Sequence, residues 1–243
     1  GLGGAGFPSF IKLNPGIHHH VETLILNGVE CEPYITCDDM IMRERAQGIM
    51  DGIEVMQQAL NVKNCVIAIE DNKPEAISAM EHALASREQL TSTKIVVIPT
   101  RYPTGSEKQL IQVITGKQVP TRGLTLDIGI VLHNVGTAYA IGRAIKHGEP
   151  LISRIVTVTG TDVKHAGNFE TLFGTPIHEL LAFCETKRQA EEPFILGGPM
   201  MGYNLAGDKL PVTKTANCIL VGVDDAAKLR KPLPCIRCGD CAE

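Results

Sequence analysis

The chain lacks any apolar run approaching the roughly 20 residues that a membrane-spanning helix needs, so no segment is expected to cross a bilayer. It also lacks a cluster of basic charge: 23 Lys and Arg are scattered among 27 Asp and Glu, for a formal net charge of −4. Such a surface has no electrostatic footprint for nucleic acid or anionic lipid, and neither is expected as a partner. The nucleophile-elbow and H-E-x-x-H motifs are missing, so serine-hydrolase and zinc-protease chemistry have no support. No internal repeat or low-complexity tract is found. No charged leader precedes an apolar core and cleavage site, which makes a reducing compartment the default expectation.

What is present is the composition of a globular protein, 44% apolar and 21% charged over 243 residues. That length buries roughly 70–75% of the unfolded surface, enough for one large domain or two smaller ones without disulfide staples. There are eight cysteines, and Cys235, Cys238 and Cys241 crowd the C-terminal end. That asymmetry suggests ligands rather than bridges. A glycine loop opens the chain and a cysteine motif closes it, as in a fragment of a longer protein.

Residues 1–150 alternate between apolar runs of strand length and segments of helical period, which predicts an α/β sheet domain. Strands are expected at 22–26, 65–69, 95–98 and 128–132. One helix is expected over 38–60, with Asn61 as its stop and Gly48 and Gly52 permitting close packing. Further helices are expected over 74–90, 106–114 and 135–146, started by Pro74 or stopped by Gly116 and Gly148. From 151 to 223 the pattern changes to β-branched strands such as 155–159, a short helix over 176–183, and turns at Gly197, Gly198 and Gly202, which reads as a small α+β domain. Residues 224–243 combine a linker with the start of the cysteine segment.

The opening G-L-G-G-A-G satisfies the G-x-G-x-x-G pattern, but a dinucleotide-binding turn needs a strand before it and a long helix after it. Pro8 and Pro15 leave room for only six helical residues. What survives is that glycines let backbone N–H groups approach a phosphate or flat ring. Three polar loops follow predicted strands: Asn27 to Tyr34, Tyr102 to Glu107, and His133 to Thr137. Any one could be a solvated loop, yet open α/β sheets bind ligands beyond the carboxyl ends of their strands, so together they favour a cofactor crevice. Cys235-x-x-Cys238-x-x-Cys241 lets one short loop supply three thiolates to an iron–sulfur cluster. A zinc site would want a second pair, and a thiol-exchange pair would leave Cys241 unexplained. The remaining cysteines, 31, 37, 65, 184 and 218, read as buried or incidental. The run His18 to His20 reads as solvated, and Met200 and Met201 as core filler.

In order, the runs G-L-G-G-A-G-F-P, V-E-C-E-P-Y-I-T-C-D-D, E-D-N-K-P-E-A-I, H-N-V-G-T-A-Y-A, G-G-P-M-M-G and C-I-R-C-G-D-C resemble the flavoprotein subunit of respiratory complex I. They are closer still to the C subunit of the Rnf electron-transport complex. The resemblance covers nearly the whole chain. It implies a complex I flavoprotein-like FMN-binding sheet domain, a β-grasp domain of the soluble-ligand-binding type over about 152–210, and the start of a ferredoxin-like segment carrying 4Fe-4S clusters. It assigns Gly1, Gly3 and Gly4 to the nucleotide loop, Phe7 to the adenine of NADH and Lys12 to phosphate. Asn27 and Glu30 would touch the flavin ring and Glu32 would touch NADH. Tyr102, Gly105, Asn134 and Thr137 would complete the FMN cradle, with Glu107 near the nicotinamide. Cys235, Cys238 and Cys241 would be cluster ligands, the set completed from beyond Glu243. Val29 and Ser106 depart from the Asp and Glu of complex I.

The activity implied is NADH dehydrogenase: hydride passes from NADH to FMN, and single electrons pass to the clusters. No side chain is then needed as acid or base. The implied partners are other Rnf subunits, including a ferredoxin-like one. They would hold the chain peripherally on the cytoplasmic face of the bacterial inner membrane. Two alternatives stay open, a cobalamin reductase of the related microcompartment type and a non-catalytic scaffold subunit like that of the sodium-pumping quinone reductase. The three clustered cysteines argue against the scaffold.

Overall fold

The computed structural model describes residues 6–16, 20–187, 192–205 and 207–222. Between Pro8 and Pro15 the chain makes only the short helix α1 (Ser9–Leu13) before entering the first strand. Strands β1 (Thr23–Gly28), β2 (Asn64–Glu70), β3 (Thr93–Ile98) and β4 (Ile130–Asn134) form one all-parallel sheet in the order β3-β2-β1-β4. The two central strands read as continuous apolar runs because both of their faces are covered, as parallel sheets require. One face packs under α2 (Cys37–Glu44), α3 (Ala46–Leu60), α4 (Pro74–Ala85) and α6 (Val135–His147). The other lies under α5 (Glu107–Thr115), whose Leu110 and Ile111 meet Ile25, Val66 and Leu132.

Two of the expected helices differ. The helix expected over 38–60 is broken at Arg45 (φ −129°, ψ 24°) into α2 and α3. Periodicity could not see the break, because Ile41 and Met42 before it and Ile49, Met50 and Ile53 after it enter the same core. The helix begun by Pro74 ends at Ala85, and residues 88–90 form a separate single turn.

Helices α3 and α6 touch backbone to backbone. A Cβ on Gly52 would run into the carbonyl of Ala138, and one on Gly142 would lie 2.7 Å from the Gly48 carbonyl oxygen. Only glycine permits that approach, and it fixes where the start of α6 stands at the sheet edge.

The second sheet is mixed: β5 (Ser153–Gly160), β6 (Gly167–Leu172), β7 (Phe194–Leu196), β8 (Tyr203–Leu205) and β9 (Cys218–Val221), in the order β6-β5-β9-β7-β8. Among these described strands β5 and β9 pair in parallel and the other pairings are antiparallel. Helix α7 (Ile177–Phe183) buries Ile177, Leu180 and Leu181 against the sheet. Ile35 before α2 and Cys37 at its start pack on Cys218 and Leu220, joining the two units. Thr36 adds polar contacts, its N–H donating to the Thr157 hydroxyl (3.1 Å). No helix among the described residues is long and apolar enough to cross a membrane.

Candidate functional site

Strands β2 and β3 build outward from one side of β1 while β4 lies on its other side, so the strand order reverses between β1 and β4. A crevice at the carboxyl ends of those two strands is where open α/β sheets take ligands. Asn27 and Asn134 are register partners at that point. The Asn27 amide donates to the Gly105 carbonyl (2.9 Å), and its oxygen accepts from the Val29 N–H (2.9 Å). The loop after β3 is thereby laid on the loop after β1. Gly105 is required there, since a Cβ would stand 2.8 Å from the Val29 carbonyl oxygen. Asn134 caps α6, accepting from the Gly136 N–H (2.9 Å) and donating to Asp38 (2.6 Å). The amino terminus of α6 therefore opens at the crevice, a favourable place for an anion.

A cleft of about 250 Å³ occupies this point. Phe7, Lys12, Asn27, Gly105, Glu107, Asn134 and Thr137 all line it. The Lys12 ammonium donates to Glu107 (2.6 Å) and to the Leu132 carbonyl (3.0 Å), clasping α1 to the start of α5. The same ammonium stands 5.7 Å from the centre of the half-exposed Phe7 ring. Ser9, Leu132 and His133 complete the lining among the described residues. His133 is 5% exposed, and its Nε2 is enclosed without a hydrogen-bond partner among those residues. Burial, helped by the Lys12 charge, lowers its pKa to about 4 and keeps the ring neutral.

Three residues that the sequence grouped with these stand elsewhere. Glu30 is buried behind the cleft, where its carboxylate accepts from the Asp38 and Asp39 N–H groups at the start of α2 (2.8 and 3.3 Å). Lys73 lies 3.8 Å away. Burial, and then the neighbouring charge of Asp38, raise the Glu30 pKa to about 8. Glu30, Cys37 and Asp38 bring ligand-type atoms within 4.8 Å of one another. Burial pushes the Cys37 thiol well up, and it stands as a protonated donor toward Glu30. Tyr102 is 41% exposed and lies outside the cleft's lining.

Glu32 points the other way, and its Oε2 accepts from the Met200 N–H (3.0 Å). The turn 197–202 of the second sheet thus reaches the loop after β1, and a Cβ on Gly198 would strike the Glu32 carboxylate. Sequence reasoning missed this contact; its trace was G-G-P-M-M-G, whose paired glycines signal a close approach. Met200 and Met201 are not core filler, since they are 56% and 71% exposed. Cys37, Cys65, Cys184 and Cys218 are buried free thiols and Cys31 is half-buried, as expected. Gly1, Gly3, Gly4, most of the histidine run, the linker and Cys235, Cys238 and Cys241 lie outside the described residues.

Residues 1–143 match the family described as the Nuo51 FMN-binding domain. The whole chain is similar to the C subunit of the ion-translocating oxidoreductase complex of Rhodobacter capsulatus, with 48% identity over 46% of that protein. It is similar to the same-named proteins of Pseudomonas aeruginosa (49%) and Vibrio cholerae (47%), covering 31% of each. The chain therefore spans less than half the length of these relatives. Among solved structures, 90% of the chain superposes on 44% of a chain of the NAD+-reducing NiFe-hydrogenase in the H2-reduced state, with a TM-score of 0.76 and 19% identity. The air-oxidised form gives 0.73. These findings bear out the Rnf resemblance and the flavoprotein-like α/β architecture.

Proposed function

The chain belongs to the Nuo51 FMN-binding domain family, and on that footing we propose that it is the flavin-bearing, NADH-oxidising part of an Rnf-type ion-translocating oxidoreductase. The supporting observation is the cleft. Lys12, Asn27, Gly105, Glu107, Asn134 and Thr137 come from four separate segments and meet where the strand order reverses. A flat ring fits the approach that Gly105 leaves open, and a phosphate fits Lys12 together with the start of α6. FMN, when bound, exchanges a two-electron hydride donor for one-electron acceptors.

In this reading the protein's own part is positioning. Asn27 holds the two loops in register, Asn134 fixes the start of α6, and Thr137 offers a hydroxyl from the first turn. Phe7, half-exposed at the mouth, offers a face for the adenine of NADH. Holding both rings together removes several kcal/mol of orientational cost with no side chain acting as acid or base. Glu30, enclosed at the start of α2, sets the loop from behind, and Glu32 ties it to the second sheet.

Cys235, Cys238 and Cys241 are proposed as three ligands of a 4Fe-4S cluster, the fourth thiolate coming from further along the full-length protein. The partners are other subunits of the complex, a ferredoxin-like one among them, with attachment to the cytoplasmic face of the inner membrane through those subunits. The test is titration of the chain with FMN, followed by flavin fluorescence, then anaerobic addition of NADH. Quenching that saturates near one FMN per chain and bleaching of the flavin's visible absorbance by NADH are expected. A chain that leaves FMN fluorescence unchanged is the scaffold alternative instead.

A further inference from the structure

One position in the cleft that no assigned role uses is His133. It sits on β4 next to Asn134, lines the cleft, is 5% exposed, and leaves Nε2 enclosed with no partner among the described residues. Buried polar atoms are almost always paired, and an unpaired one carries a desolvation penalty. An apolar side chain of similar volume would fill the same place more favourably unless the nitrogen is paired in a ligand-bound state. The walls around it carry Lys12 and Glu107, clasped to one another at 2.6 Å, and the hydroxyl-bearing Ser9 and Thr137.

Resting on the flavin reading above, we infer that His133 is a further cofactor-holding residue, whose neutral imidazole takes a hydrogen bond from or to the bound flavin mononucleotide. With FMN bound, Lys12 would exchange Glu107 for the phosphate, within the cleft that the ring also lines. Neutrality suits the role: an imidazolium facing Lys12 would repel it, and the low pKa keeps the ring uncharged throughout the physiological range.

His133→Leu and His133→Gln test this in the full chain. Thermal unfolding without ligand and FMN affinity by fluorescence quenching are both measured. If His133 serves the cofactor, His133→Leu leaves the unliganded melting temperature unchanged or higher, weakens FMN binding at least about tenfold, and shrinks the FMN-induced thermal shift. His133→Gln, which keeps hydrogen-bonding capacity, then restores most of the affinity. If unaltered chain binds FMN and His133→Leu binds it equally well, the inference is overturned while the flavin reading stands. If His133→Leu melts lower with FMN affinity intact, the residue is structural and the inference is likewise overturned. Failure of the unaltered chain to bind FMN overturns both.

Discussion

Among the described residues Lys12 is the one cation in the lining of the proposed flavin cleft, and its partner is Glu107 at 2.6 Å. A phosphate can reach Lys12 only in competition with that carboxylate. The two side chains are 23% and 39% exposed, so their mutual attraction is partly screened, about 0.2–1 kcal/mol. A charge-assisted bond from Lys12 to phosphate is stronger, about 1.5–3 kcal/mol. Lys12→Met should therefore weaken FMN about tenfold to a hundredfold, since about 1.4 kcal/mol is one decade. Glu107→Gln should act in the opposite direction, tightening FMN by up to about fivefold, because the competitor is removed. Both effects should fade as salt is raised from about 0.05 to 0.5 M. Fluorescence titration of the single and double variants gives the coupling directly. If Glu107→Gln weakens FMN as much as Lys12→Met does, the pair is a fixed brace and the phosphate lies elsewhere.

Three other outcomes follow from buried contacts. Glu30 has a folded pKa raised to about 8, against about 4.3 unfolded; the native state holds a proton that the unfolded chain has lost between those values. Its contribution is thus fully present below about pH 4.3 and is lost as pH rises toward 8, at up to about 1.4 kcal/mol per unit. Glu30→Gln should flatten that slope in urea midpoints taken from about pH 5 to 8, and an unchanged slope would assign the proton elsewhere. Gly52→Ala places a methyl against the Ala138 carbonyl and should cost about 1–3 kcal/mol or more in urea unfolding; a neutral result would mean that α3 and α6 can separate freely. Gly198→Ala should lower the melting temperature by displacing the turn from Glu32, whereas Gly207→Ala, with nothing within 4 Å of its added Cβ, should not. Equal melting of the two variants would argue against the Glu32 contact.

Several elements of this protein obey local rules and were legible before any fold was known. The four parallel strands stood out as apolar runs, and in the central pair cover on both faces leaves no polar alternation to confuse them. Asn61, Gly116 and Gly148 were readable as helix stops because each adopts the left-handed conformation that ends a helix. The convergence of Asn27, Gly105 and Asn134 could be inferred because strand ends in a parallel sheet must share one edge. Direction was not readable. Glu30 and Glu32 are two residues apart in a loop, and only the packing of α2 and of the turn 197–202 turned one into the protein behind the cleft and the other onto the second sheet. The break at Arg45 was hidden because both halves bury the same face. The clasp between Lys12 and Glu107 joins residues 95 positions apart, and the orphaned nitrogen of His133 is defined by what surrounds it in space. Pairing and burial at that range belong to the tertiary structure, since no local preference of the chain encodes which distant groups will meet.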